Sequence, residues 1–192
     1  MKNYLTVHKD KAFTEIELKG ENLEQTKFVN CKLANLDLKF TSFTDCLFIN
    51  CDFSNTLLSS SNMENCLFEE CKLSWINFKD TMIKKCHFFK SVLEGCTFEK
   101  QKLNQCEFVS SNLSASYFIS CDLSEVNFQR ADLERTVFDH CNLNQANLVG
   151  ANILGTSFVN CKINKTQLDL DGFIRFGQSK GFVMGVVSSP ID

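Results

Sequence analysis

The chain has no surplus of positive charge: 20 lysines and arginines stand against 23 aspartates and glutamates, for a net charge of -3 at pH 7. The broad basic footprint of an ordinary nucleic-acid binder is therefore missing, and no direct nucleic-acid contact is expected. Long apolar runs are missing too. The start, MKNYLTVHKDKAF, holds Lys2, Lys9, Asp10 and Lys11, and the longest apolar stretches elsewhere, such as 181–187, are too short to cross a bilayer. The expectation is a cytoplasmic protein without membrane contact. Histidine is scarce, with His8, His87 and His140 only, and no CxxC spacing accompanies them, so neither a zinc site nor a catalytic histidine is supported. No glycine-rich phosphate loop occurs, and the single proline lies near the C-terminus. No cofactor and no metal are expected, and an enzyme is not.

What the chain does have is a period. From Phe13 to Leu168 every fifth residue is large and apolar, without an insertion or deletion. The run Leu123, Phe128, Leu133, Phe138 is typical of it. A spacing of five matches neither the turn of a helix nor the alternation of a strand. A second track, two residues earlier, holds mostly Cys, Thr, Ser or Ala, and all eleven cysteines fall on it. The remaining positions are mostly polar. Two tracks of five point inward and three outward, and the cysteines read as small buried core residues rather than reactive ones.

This two-track pattern, with segments such as ADLER, CNLNQ, ANLVG and CDLSE, resembles the pentapeptide-repeat family over residues 11 to 170. The resemblance implies an all-β fold, a right-handed quadrilateral parallel β-helix in which four pentapeptides make one square coil. Residues twenty apart should then stack, and the sequence agrees: Phe28, Phe48, Phe68, Phe88, Phe108 and Phe128 form one ladder, and Phe78, Phe98, Phe118, Phe138 and Phe158 another. About eight coils at about 4.8 Å give a rod of roughly 38 Å. Residues 1–10 are expected to form an N-terminal cap, 11–170 the β-helix, and 171–192 a C-terminal cap and dimerisation segment.

Charge on the outward tracks comes in bands. Acids dominate residues 37–70, lysines dominate 72–102 (Lys72, Lys79, Lys84, Lys85, Lys90, Lys100, Lys102), and acids return over 107–139. Phe40, Trp75, Phe89 and Tyr117 are outward aromatics. Beyond Leu168 the repeat stops, and a short helix around 169–180 followed by an apolar extended piece is predicted. Its apolar content exceeds what closing one coil needs and suggests a two-fold homodimer interface.

That C-terminal layout is similar to the quinolone-resistance members of the family, the Qnr and MfpA type. The resemblance implies a non-enzymatic DNA mimic that dimerises end to end and binds the type II topoisomerases DNA gyrase and topoisomerase IV, protecting them from fluoroquinolones or a toxin. Two such rods would span on the order of 80 to 100 Å, comparable with roughly 25 to 30 base pairs. Partner contacts are expected at Asp122, Glu125, Asp132, Glu134 and Asp139, and the dimer seam at Phe173, Phe176, Phe182, Val183 and Val186. The lysine band interrupts a continuous DNA-like potential, and the unbroken register leaves no room for projecting loops. The alternative is a generic β-helical interaction scaffold with an unrelated partner.

Overall fold

The computed structural model describes residues 4–185 as a parallel β-solenoid of about eight coils, ending in a short helix. In chain order the elements are Thr6–Lys9 (β1), Glu15–Leu18 (α1), Asn22–Glu24 (β2), Thr26–Val29 (β3), Ser42–Thr44 (β4), Leu47–Ile49 (β5), Asn62–Glu64 (β6) and Leu67–Glu69 (β7). Met82–Lys84 (β8), His87–Phe89 (β9), Thr97–Glu99 (β10), Tyr117–Ile119 (β11), Val137–Asp139 (β12), Ser157–Val159 (β13) and Leu170–Ser179 (α2) follow. Every strand pair is parallel and joins residues twenty positions apart, for example Phe28 with Phe48 and Phe118 with Phe138.

Three sheets result: β1-β3-β5-β7-β9 on the side whose core rung is Phe28, β2-β4-β6-β8 on the Phe43 side, and β10-β11-β12-β13 on the Phe98 side. Elsewhere the coils join through isolated bridges, such as Asp132 with Asn152. One outward residue contributes to the choice between the two forms, although Leu57 and Val92 also stand on turn sides and Asn22 and Asn62 in strands. Where the residue before the core rung is Asn or Asp, its side-chain oxygen usually accepts the N–H two residues on, as Asp52 does from Ser54 (2.9 Å), Asn112 from Ser114 (2.8 Å) and Asn147 from Val149 (3.0 Å). The side then closes into a turn. Where that residue is Leu47, Thr97, Tyr117 or Val137, nothing competes and the side stays a strand.

The corners need a left-handed residue, and it falls at every fifth position from Gln25 to Lys165, with Gln105 the exception. Even Phe40 (φ 65°) and Trp75 (φ 62°) adopt it. For a residue with a Cβ this conformation costs about 1 to 2 kcal/mol. Pairing with the next coil offsets it: the Trp75 N–H donates to Glu94 O at 2.9 Å and the Asn35 N–H to Ser54 O at 2.9 Å.

The small inner track does more than fit by size. Where it holds a hydroxyl or thiol, the side chain usually donates to the carbonyl twenty-three residues earlier, as in Thr56 Oγ1 to Leu33 O (2.9 Å), Ser116 Oγ to Leu93 O (2.8 Å) and Cys66 Sγ to Phe43 O (3.3 Å), while Val126, Ala131 and Ala146 fill it by size alone. Gln101, too long for the track, still meets the rule through Nε2 to Phe78 O at 3.0 Å. Cys, Ser and Thr are therefore interchangeable there as small donors.

The core rungs stack face to face. Ring centroids along Phe28, Phe48, Phe68 and Phe88 are 4.8 to 4.9 Å apart, and along Phe98 and Phe118 4.6 Å. Rings of neighbouring ladders meet edge-on, Phe98 with Phe108 at 6.0 Å.

The first coil departs from the regular pattern. α1 replaces one side, with the Glu17 carboxylate accepting from the Thr14 N–H (2.8 Å) and hydroxyl (2.9 Å), and Ile16, on the small track by count, is 94% exposed. His8 does not lie ahead of the stacked register but inside it. It pairs with Phe28 and forms the last rung of that ladder, 5.2 Å from Phe28 and 5.1 Å from Phe13.

Partial burial, then the Lys11 ammonium, lower the His8 pKa below its ordinary 6.5, with Glu17 acting in the opposite sense. The neutral ring thus favours the folded coil, a contribution present above pH 6.5 and lost as the pH falls through the lowered folded value. Hydrogen-exchange protection of β1, corrected for intrinsic rates, is expected to fall over that interval, and His8→Phe should abolish the dependence. A pH-independent protection factor in the unaltered chain would contradict it.

Candidate functional site

Chemistry inside the rod is limited by its packing. Ten of the cysteines are buried and Cys161 is half-buried, and all are free thiols. Burial pushes Cys96 and Cys106 up to about 12, while Cys141 reaches about 12 chiefly through the neighbouring Cys121 thiol. Cys161, at the open end, is raised first by Cys141. Such thiols are poor nucleophiles, and Cys46, Cys51 and Cys121, whose pKa the thiol of the next coil lowers instead, are kept from reagents by burial. Labelling of the native protein at pH 8 is expected to be slow for all eleven and fastest at Cys161, so Cys161→Ser should remove the leading phase; rapid labelling of several sites would overturn this. Among the described residues no group of three His, Cys, Asp or Glu is placed to hold a metal ion.

The acidic residues singled out from sequence lie on three of the four sides of the rod, the Phe128 side between them carrying none. Asp122 and Glu125 belong to the Leu123 side, Asp132 and Glu134 to the Leu133 side, and Asp139 to the Phe138 side. Two of them also hold the backbone. Asp122 Oδ1 accepts from the Ser124 N–H (3.1 Å), the Ser124 hydroxyl (2.8 Å) and Asn142 Nδ2 (3.0 Å). Asp132 Oδ1 accepts from the Glu134 N–H (3.1 Å) and Asn152 Nδ2 (3.0 Å). Glu134 lies 3.6 Å from Arg135 Nε, and Asp139 meets His140 Nδ1 at 2.7 Å. Glu125, on a left-handed corner at φ 60°, is exposed. The acids therefore occupy three of the four sides, with Arg130 at the corner of the fourth and Arg135 beside Glu134.

The C-terminal end is closed incompletely. Asp169 caps α2 through Oδ1, which accepts from the Gly172 N–H at 2.8 Å, and ties the helix to the last coil through Oδ2, which accepts from the Gly150 N–H at 2.8 Å. Phe176 lies edge-on over Phe158 at 5.7 Å and so extends the aromatic ladder by one ring. A gap of about 90 Å³ remains between Leu143, Leu148, Phe158, Ile163, Phe173 and Phe176.

Of the five expected seam residues, Phe173 (59% exposed), Phe182 (75%) and Val183 (91%) face outward. Phe176 faces the rod, and Val186 lies outside the described residues. Leu154, Val159, Ile163 and Leu170 are exposed at the same end and were not singled out from sequence. Leu154 and Val159 stand on outward tracks, and Ile163 is a core-register residue with no further coil to cover it.

The family model described as a pentapeptide repeat region matches residues 21–98 and 111–170, and one of eight pentapeptide repeats matches 91–130. No curated protein matches the sequence. Among solved structures, a trypsin-treated variant of QnrB1, a plasmid-mediated fluoroquinolone resistance protein, is similar with 16% identity and a TM-score of 0.55, covering 94% of this chain and 98% of that one. Full-length QnrB1 shows 16% identity over 92% and 98%, with a TM-score of 0.47. HetL, a pentapeptide repeat protein involved in heterocyst differentiation regulation from the cyanobacterium Nostoc sp. Strain PCC 7120, shows 14% identity over 86% and 87%, with a TM-score of 0.35.

Proposed function

The chain belongs to the pentapeptide-repeat family, and from that premise we propose that it acts without catalysis, as an end-to-end dimer that presents a DNA-like surface to DNA gyrase or topoisomerase IV and shields the enzyme from a fluoroquinolone or a toxin. The observation that carries this reading is the incompletely closed apolar end, where Phe173, Phe182 and Val183 face outward beside Leu170 and Ile163. Such a surface is stable in water when a second copy covers it. The acids at Asp122, Glu125, Asp132, Glu134 and Asp139 occupy three sides of the rod close to that end. A duplex shows its phosphates around its circumference, and a basic DNA-binding saddle, which grips only part of that circumference, would meet the acidic sides in the same way. The fold likeness to QnrB1 is consistent with this reading.

The test is a supercoiling assay with purified gyrase and a fluoroquinolone. Micromolar protein is expected to restore or modulate supercoiling, and no effect on gyrase or topoisomerase IV would sink the proposal in favour of a scaffold for an unrelated partner. In light scattering the protein should run at twice its 21.9 kDa chain mass. Phe182→Asp should halve that mass while leaving the β-solenoid folded.

A further inference from the structure

The sides of the rod do not show the same chemistry to water. On the sheet β1-β3-β5-β7-β9 and the coil after it, the outward positions are more often apolar than polar: Leu47, Ile49, Leu67, Phe89 and Val109 stand there among Lys27, Glu69, His87 and Glu107. On the adjoining sheet the equivalent positions from Asn22 to Glu64 are all polar, and β8 adds Met82 and Lys84. A parallel sheet whose outer face gathers this many large apolar side chains is an unfinished surface.

Towards its C-terminal end this face deepens into a groove of about 520 Å³ between Tyr4, Leu67, Phe89 and Val109, with Glu69 and Glu107 in its walls. The carboxylates differ in occupation. Glu107 lies 3.1 Å from His87 Nδ1, and Glu70, just outside, lies 3.9 Å from Lys90 Nζ. Glu69, between Ile49 and Phe89 in the strand register, makes no side-chain hydrogen bond or ion pair among the described residues. The Phe89 ring already draws a cation, with Lys90 Nζ 5.2 Å from its centroid.

An apolar groove that holds an unpaired carboxylate beside an aromatic face is complementary to one side chain in particular. We propose that it receives an arginine, flanked by apolar residues, from an extended segment of a partner protein. The guanidinium pairs with Glu69 in fork geometry and stacks on Phe89, while the apolar neighbours cover Leu67 and Val109. This surface is distinct from the acidic residues near the C-terminal end, and it stands apart from the topoisomerase reading.

The test is a titration of the full chain with the capped tripeptide acetyl-Leu-Arg-Leu-amide, read from the methyl resonances of Leu67, Val109 and Ile49. Saturable shifts confined to these methyls are expected, absent with acetyl-Leu-Glu-Leu-amide and weakened about tenfold by Glu69→Gln. Phe89→Leu, which keeps the groove apolar, should weaken binding too. No shift, or the same shift from the glutamate peptide, overturns the proposal. Shifts that follow protein concentration without peptide would assign the groove to a second copy and overturn it as well. So would contacts from the chain's own residues 1–3 that the peptide does not displace.

Discussion

Phe108→Ala is expected to destabilise the rod by about 3 to 5 kcal/mol, the largest effect of any single substitution considered for this protein. Phe108 is fully buried and stacks between Phe88 (5.0 Å, 5°) and Phe128 (5.3 Å, 18°). It also meets Phe98 and Phe118 edge-on at 6.0 and 6.2 Å, so one ring joins both ladders. Removing it leaves a void that neither neighbouring coil can fill, because each is held in register by its own backbone pairing. In a solenoid, stability is nearly a sum of coils and the interfaces between them, so a defect in the middle weakens two interfaces. Phe158→Ala, at the partly open last coil, should cost clearly less. Thermal unfolding checks both: Phe108→Ala should lower the melting temperature by roughly 8 to 15 °C. A drop no larger than that of Phe158→Ala would show that the ladders do not carry the core.

Gly95→Ala is the second large effect, expected at about 2 to 3 kcal/mol for the addition of one methyl group. Gly95 occupies a left-handed corner at φ +67°, but so does Ala115 at φ 55° one coil on, so conformation accounts for only part of the loss. The rest comes from Trp75, whose six-membered ring lies flat over Gly95 so closely that a Cβ there would fall inside its van der Waals surface. The indole covers the corner of the next coil, while 60% of the residue stays open to water. A double-mutant cycle separates the two parts: in a Trp75→Ala background, Gly95→Ala should lose only the conformational share of about 1 kcal/mol. Equal losses in both backgrounds would mean the ring is not what Gly95 accommodates.

Much of the fold was legible because one spacing determines it. The residues from Phe28 to Ile153 on the five-residue register are all buried, and the period of twenty appears in every strand pair. A register tells which side chains point in. It does not tell how the end coils close, since that depends on neighbours that are absent there. Hence Ile16, small-track by count, lies exposed on α1, and Phe176 turns inward where its composition alone suggested a seam. The candidate contacts were legible as exposed acids but not as occupied ones. That Asp122 and Asp132 also brace Asn142 and Asn152 emerges only when residues twenty apart are read as pairs.

The contact between Trp75 and Gly95 bears on how the chain avoids folding out of frame. Because core rungs repeat by residue type, a chain that skipped one coil would still set Phe68 against Phe108 and Cys66 against Cys106, with little loss in the core. Repetition stabilises the native stack and its slipped neighbours almost alike. The corners do not repeat. Skipping the coil that contains Gly95 would bring the indole of Trp75 down on Ala115, whose methyl group occupies the place that Gly95 leaves empty. A single large ring over a single glycine thus marks the one alignment in which every coil meets its proper successor.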